Sequence, residues 1–199
     1  MKILFLNASP RVNGYTFRAL KMIEENLEKN CTVEWVNVNQ QNIKPCIACL
    51  KCRPDRECEM PEDDGHRVAR LIKNADALVI GSPTYFGNIT GPLRTLIDRS
   101  LTAFENISPS GLEMPTPIHK GKKAAMLTAC NTPEPWCNYP NQGAGALTAM
   151  ETTLKAGGYE IVGSIIIGGT ASLIDLPKEV EEKAKMIAGA LSKSNIIQE

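Results

Sequence analysis

The sequence has no excess of either charge: 22 Lys and Arg stand against 22 Asp and Glu, a formal net charge of zero. Binders of nucleic acid or of membrane surfaces need a basic excess, so neither partner is expected. No apolar run approaches the ~20 residues of a membrane-spanning helix. The apolar start of MKILFLNASPR ends at Asn7, too early for a secretory leader's apolar region and cleavage site. A cytoplasmic location is therefore expected. Histidine is scarce, with only His66 and His119. Each is expected on the surface or in a helix, and no Ser–His–Asp arrangement or pair of catalytic carboxylates competes for a catalytic role. Repeats, low-complexity tracts and a dividing linker are also missing, so residues 1–199 are expected to form one domain with a substantial core. Neither familiar phosphate-loop pattern, GxGxxG or GxxxxGK[ST], occurs, which sets aside the simplest dinucleotide-fold and P-loop readings.

Strands and helices alternate along the chain. KILFLNAS at 2–9 is a continuous apolar run closed by small polar residues, as expected of a parallel strand buried on both faces. The spacing of Phe17, Leu20, Ile23 and Leu27 predicts a helix from Thr16 to about Lys29. TVEWVNV at 32–38 alternates as a second strand. Val68, Leu71 and Ile72 lie on a second helix opened by acidic residues. DALVIGSP reads as a strand, and GPLRTLIDRSLTAF at 91–104 as a helix with Pro92 in its first turn. Residues 105–121 form a long proline-containing loop or lid. A strand at KKAAMLTAC, a second Pro-rich loop, a helix over 143–156, a strand at YEIVGSIIIGG and a helix opened by Pro177 complete the chain. Five strands alternating with five helices select a parallel sheet covered on both faces.

In such a sheet, ligands bind outside the carboxyl ends of the strands where strand order reverses. That directs attention to the loops at 9–16, 82–90 and 130–141. In SPRVNGYT, Ser9 and Thr16 offer hydroxyls, Arg11 a cation able to make paired hydrogen bonds, and Gly14 a close backbone approach, all at a helix N-terminus suited to phosphate. An ordinary loop capped by Thr16 is the alternative. In SPTYFGN, Tyr85 and Phe86 stand where an exposed loop should be polar. They suit a flat ligand or a partner subunit, or cover the core edge. Cys130 and Cys137 flank the third loop, either near a ligand or as small buried hydrophobes, and Cys31 falls at a helix–strand junction.

SPRVNGYT, PCIACLKCRPDRECEMPEDD and SPTYFGNITGPLRTLIDR, in this order after the first three strands, resemble the flavodoxin-like NAD(P)H-dependent FMN reductase superfamily, and within it the iron–sulfur flavoprotein branch. The resemblance covers essentially the whole chain. It implies a flavodoxin-like α/β fold: a five-stranded, doubly wound parallel sheet with helices on both faces, binding FMN non-covalently. It further implies an oxidoreductase that takes electrons from NAD(P)H or another reduced donor and passes them to a small-molecule or protein acceptor, working as a homodimer or homotetramer. An FMN-binding sensor or interaction module without turnover is the alternative, and FAD is the second choice of flavin. Carried over to this chain, Ser9, Arg11, Asn13 and Thr16 would hold the FMN phosphate. Pro83, Thr84, Tyr85, Phe86, Gly87 and Asn88 would line the ring, with Asn131 from the third loop. Tyr15 departs from the Asn or Ser common at that position, and an aromatic there would shield the phosphate or touch a neighbouring subunit.

Seven cysteines in a reducing compartment do not read as a disulfide framework. The cysteine-rich loop at 45–64 concentrates Cys46, Cys49, Cys52 and Cys58 in a C-x2-C-x2-C-x5-C spacing. It is closer to the compact spacing of a four-iron cluster than to the separated knuckles of a zinc site. Lys51, Arg53 and Arg56 would offset thiolate charge. In the iron–sulfur flavoprotein branch such a quartet holds a 4Fe–4S cluster, so these four are the expected ligands. Zinc and cluster-free thiols remain as alternatives.

Overall fold

A computed structural model describes residues 1–108, 110 and 112–193. Positions 109 and 111 of the expected 105–121 loop, and 194–199 of the expected domain, lie outside the described residues. The chain runs β1 (Lys2–Asn7), α1 (Tyr15–Glu25), β2 (Thr32–Asn37), α2 (Asp64–Asn74), β3 (Ala77–Pro83), α3 (Gly91–Arg99), β4 (Glu105–Asn106), β5 (Thr116–Pro117), β6 (Lys123–Ala129), α4 (Gly143–Ala156), β7 (Glu160–Ile167) and α5 (Lys178–Ser192). Five strands form one parallel sheet in the order β2-β1-β3-β6-β7. This is the flavodoxin-like order, with its switch point between β1 and β3.

The apolar runs are continuous because both faces of the sheet are covered. Successive side chains of a strand point to opposite faces. Leu4, Leu6, Leu78, Ile80 and Met126 accordingly join the core beneath α2, α3 and α4, whereas Ile3, Phe5, Val79, Ala125 and Leu127 join the core beneath α1 and α5. At the edge, Trp35 of β2 packs on Phe5 and Phe17, with ring centroids 5.0 and 5.5 Å apart.

Several boundaries differ from expectation for local reasons. Helix α1 stops at Glu25 because the Asn26 side chain donates to the Met22 carbonyl at 2.7 Å, competing with the helical ladder. Helix α3 stops at Arg99 and yields to a short 3-10 turn, Leu101–Ala103, where Thr102 Oγ1 donates to the Arg56 carbonyl at 2.8 Å. The expected 105–121 loop contains the antiparallel pairing of β4 with β5.

His119 lies in neither a helix nor the surface. It is buried at 1% exposure, stacks on Tyr159 with ring centroids 4.5 Å apart, and meets the Ala103 carbonyl through Nε2 at 2.6 Å. His66 is in a helix but is also buried, closing a capping box with Asp63 at the start of α2. Among the described residues, no helix is long and apolar enough to cross a membrane.

Candidate functional site

The carboxyl ends of β1, β3 and β6 open into a cavity of about 580 Å³ at the switch point. Its first wall is the loop after β1. Ser9 Oγ accepts from the Arg11 backbone N–H at 3.2 Å, and Gly14 N–H donates to the Arg11 carbonyl at 3.3 Å, so the loop curls on itself. The N-cap of α1 is Gly14 and makes no side-chain cap. The first-turn N–H groups therefore remain unsatisfied by any capping side chain and face the cavity mouth with the helix's positive end. Thr16 is not the cap: it is the second residue of the helix and is buried at 2% exposure. Gly14 is needed for closeness, since a Cβ there would lie 3.0 Å from Arg11 Cβ and 3.3 Å from Ser9 Oγ.

The second wall follows β3. Thr84 N–H donates to the Ala129 carbonyl at 2.9 Å, and its hydroxyl pairs with Thr128 Oγ1 at 2.7 Å. Reciprocal backbone bonds between Tyr85 and Asn88, at 2.9 and 3.0 Å, close a turn with φ +49° at Phe86 and +70° at Gly87. Two successive positive φ values make this a primed turn, which glycine enters freely and phenylalanine does not. The third wall is 129–132 with Asn141 and Gln142, where Thr132 Oγ1 donates to Gln142 Oε1 at 2.6 Å. Thr170, from beyond β7, donates to Asn131 Oδ1 at 2.8 Å and completes the lining.

Of the residues singled out in the sequence, Ser9, Arg11, Thr16, Pro83, Thr84, Tyr85, Phe86, Gly87 and Asn131 meet in this cavity. Asn13 and Asn88 do not line it. Asn13 is exposed at the loop tip, and Asn88 spends its Oδ1 on the Ile89 N–H at 2.8 Å. Cys130 lines the cavity and burial pushes its thiol up, whereas Cys137 is fully buried behind it. Tyr15, Thr132, Asn141, Gln142 and Thr170 are additional lining residues. Thr170 could have been found by applying the strand-end rule to GGT after β7.

The cysteine-rich segment forms a separate feature. Its ends are held by Arg99, whose side chain has 0% exposure. The guanidinium donates to the Lys44 carbonyl at 2.7 Å and to both Asp63 oxygens at 2.8 and 3.1 Å. Asp63 also accepts from Lys44 N–H at 3.0 Å. Burial alone would raise the Asp63 pKa, but the Lys44 and Gly65 N–H groups and Arg99 together hold it below the usual carboxylate value. His66 Nε2 meets the Cys58 carbonyl at 2.8 Å. Cys46, Cys49, Cys52 and Cys58 all line one small cavity of about 50 Å³ with Ile47, Leu50, Met60 and Leu101. The Cys52 thiol is pushed up first by burial and then by its three sulfur neighbours, chiefly Cys58. Among the described residues, no three His, Cys, Asp or Glu donors converge as a single metal ion requires. The four thiols share one hollow, where Ala48 N–H donates to Cys46 Sγ at 3.4 Å.

A groove of about 600 Å³ along α4 and β7 is comparable in volume, but the charged residues of its lining, Glu151 and Lys155, pair with each other beside the hydroxyls of Thr148, Tyr159 and Ser164. The chemistry therefore converges on the switch-point cavity.

The chain is similar to several known proteins. The chain aligns with an iron-sulfur flavoprotein of Archaeoglobus fulgidus, 39% identical over 104 residues, covering 52% of this chain and 50% of that protein. An iron-sulfur flavoprotein of Clostridioides difficile is 24% identical over 192 residues, covering 94% of this chain and 76% of the other. The chain thus spans about half the length of several curated relatives it matches. A solved FMN-dependent NADH-azoreductase of Bacillus anthracis in complex with FMN superposes with a TM-score of 0.72 at 18% identity, over 97% of this chain and 100% of that one, a likeness of fold. Residues 1–132, which contain the first two walls of the cavity and the cysteine segment, match the family model of NADPH-dependent FMN reductases. The chain belongs to the NADPH-dependent FMN reductase family.

Proposed function

We propose that this protein is an FMN-dependent oxidoreductase, drawing electrons from NAD(P)H and delivering them to a small-molecule or protein acceptor. The observation that carries this reading is the single cavity joining the uncapped α1 N-terminus and Arg11 to the aromatic turn at 83–87. FMN supplies the step between two-electron and one-electron chemistry. The chain binds and orients it: Ser9, Arg11, Thr16 and the α1 N–H groups take the phosphate. Pro83, Thr84, Tyr85, Phe86, Gly87 and Asn131, which line the same cavity, would hold the ring. Asn13 and Asn88 act through loop shape, since neither lines the cavity. Purified protein is expected to bind FMN and to bleach on anaerobic addition of NADH or NADPH. Arg11→Ala should weaken FMN at least tenfold, the scale of one charge-assisted hydrogen bond at about 1.5–3 kcal/mol. FMN affinity unchanged in that variant would place the phosphate elsewhere, and bound FMN that NAD(P)H never bleaches would favour a sensor.

We also infer that Cys46, Cys49, Cys52 and Cys58 hold a 4Fe–4S cluster, which would supply one-electron transfer. The shared hollow and the names of the relatives support this reading. Anaerobic reconstitution should give close to four irons per chain and broad absorbance near ~400 nm. Well under one iron per chain leaves the two-electron reductase alone.

A further inference from the structure

The segment between β7 and α5, residues 168–177, is a strap that meets the cavity at Thr170 and runs on to the start of α1. At its start, Gly169 N–H donates to the Thr132 carbonyl at 2.8 Å and Thr170 N–H to the Cys130 carbonyl at 3.1 Å. There Thr170 also bonds Asn131. At its far end the strap is fastened to the first turn of α1. Tyr15 Oη donates to the Leu173 carbonyl, and Arg18 pairs with Asp175, whose carboxylate also accepts from Leu176 N–H at 2.8 Å. The Arg18 guanidinium stands 5.4 Å from the centroid of the Tyr15 ring, while Leu173 and Leu176 seat the strap on the α1/α5 core. Tyr15 and Thr170 both line the cavity, so the strap joins its third wall to the phosphate end.

We propose that Tyr15 and Arg18 are positioning residues that latch the 168–177 strap over the phosphate end of the cavity, and so select FMN over FAD. The inference rests on the reading that FMN occupies this cavity. FMN stops at the phosphate gripped by the start of α1. FAD continues through a second phosphate to an adenylate, which has to leave the cavity past that same end. A strap tied to both walls blocks that exit and slows release of FMN. Tyr15, the departure from the family pattern, therefore acts on the strap, with its hydroxyl engaged by Leu173.

The test measures FMN and FAD affinities of the full chain by flavin fluorescence quenching, and FMN release by stopped flow. Variants are Tyr15→Phe, Asp175→Asn and the double variant. The double variant should release FMN at least tenfold faster and narrow the FMN:FAD affinity ratio at least tenfold, with each single variant between it and wild type. A purely structural role would lower the melting temperature without moving the ratio. Should the double variant not fold, Asp175→Asn decides alone, because that side chain is 77% exposed and its loss leaves the core untouched. A release rate and ratio within twofold of wild type overturn the latch and leave the flavin site standing. Wild-type protein that binds FAD as tightly as FMN also overturns the latch alone. Wild-type protein that binds neither flavin overturns the FMN reading and this inference with it.

Discussion

At the scale of single residues, two positions hold the chain where its local preference would not. Gly87 adopts φ +70°, and a Cβ there would fall 2.7 Å from the carbonyl carbon and oxygen of Asn141. Any side chain meets a left-handed backbone and a rigid neighbour together. Gly87→Val should destabilise the protein by about 1–3 kcal/mol and reduce flavin occupancy. Full occupancy and an unshifted flavin spectrum in that variant would remove this turn from the ring wall. His119 is the second position. Burial pushes it down to about 4, reinforced by Lys122 and Lys73 and opposed by its bond to the Ala103 carbonyl. Above pH ~6.5 it is neutral in both folded and unfolded chains and contributes no pH dependence. As pH falls below that value the unfolded chain takes up a proton first, so stability is lost down to about pH 4. The loss should be on the order of 3 kcal/mol. Urea denaturation at pH 7, 5.5 and 4.5 reads it directly, and His119→Phe should flatten the slope.

At the scale of elements, the cysteine segment has little regular structure and depends on what clamps it. The Asp63–Arg99 pair joins the residue before the loop, the cap of α2 and the last turn of α3. Removing one partner leaves the other charge buried and unpaired, which typically costs about 3–5 kcal/mol. Arg99→Met should therefore lower the urea midpoint strongly, and Asp63→Asn in the same chain should recover part of the loss. The segment itself should loosen first, with trypsin cutting faster at Lys51 and Arg56 than at sites on the sheet. Equal cutting at both would mean that the clamp does not hold the segment. The loop after β1 behaves differently. It is shaped by bonds within itself, with Ser9 Oγ accepting from the Arg11 N–H and Gly14 packed closely against both residues.

At the scale of the whole molecule, four aromatic residues of the strand-end loops lack cover. Tyr85, Trp136 and Tyr139 are 52–54% exposed and Phe86 is fully exposed. These four residues on one side of the sheet resemble the core of an interface more than ordinary surface. We propose a homodimer or homotetramer that buries them. Sedimentation equilibrium at micromolar concentration should show it, and Phe86→Ser with Trp136→Ser should shift the population to monomer. A wild-type monomer with flavin bound contradicts the proposal.

What the sequence determined by itself is the architecture and where its chemistry gathers. Unbroken apolar runs at β1, β3 and β6 require covering on both faces, and strand–helix alternation then leads to a parallel sheet whose strand ends carry the loops. Those are properties of neighbouring residues, so they are legible in one dimension. Nine of the eleven residues expected around the ring and phosphate line one cavity for the same reason: they lie on strand-end loops. Asn88 departs for a local reason, its Oδ1 held by the next residue's N–H, and Gly14 rather than Thr16 caps α1. Tertiary structure decided the rest, as where His119 is drawn into the core against Tyr159. Arg99 finds Asp63 across 36 residues, and Tyr15 finds Leu173 across 158. Such pairings depend on which strands lie side by side and which face each helix covers. Periodicity specifies that a face is buried, and only the assembled sheet specifies what it is buried against.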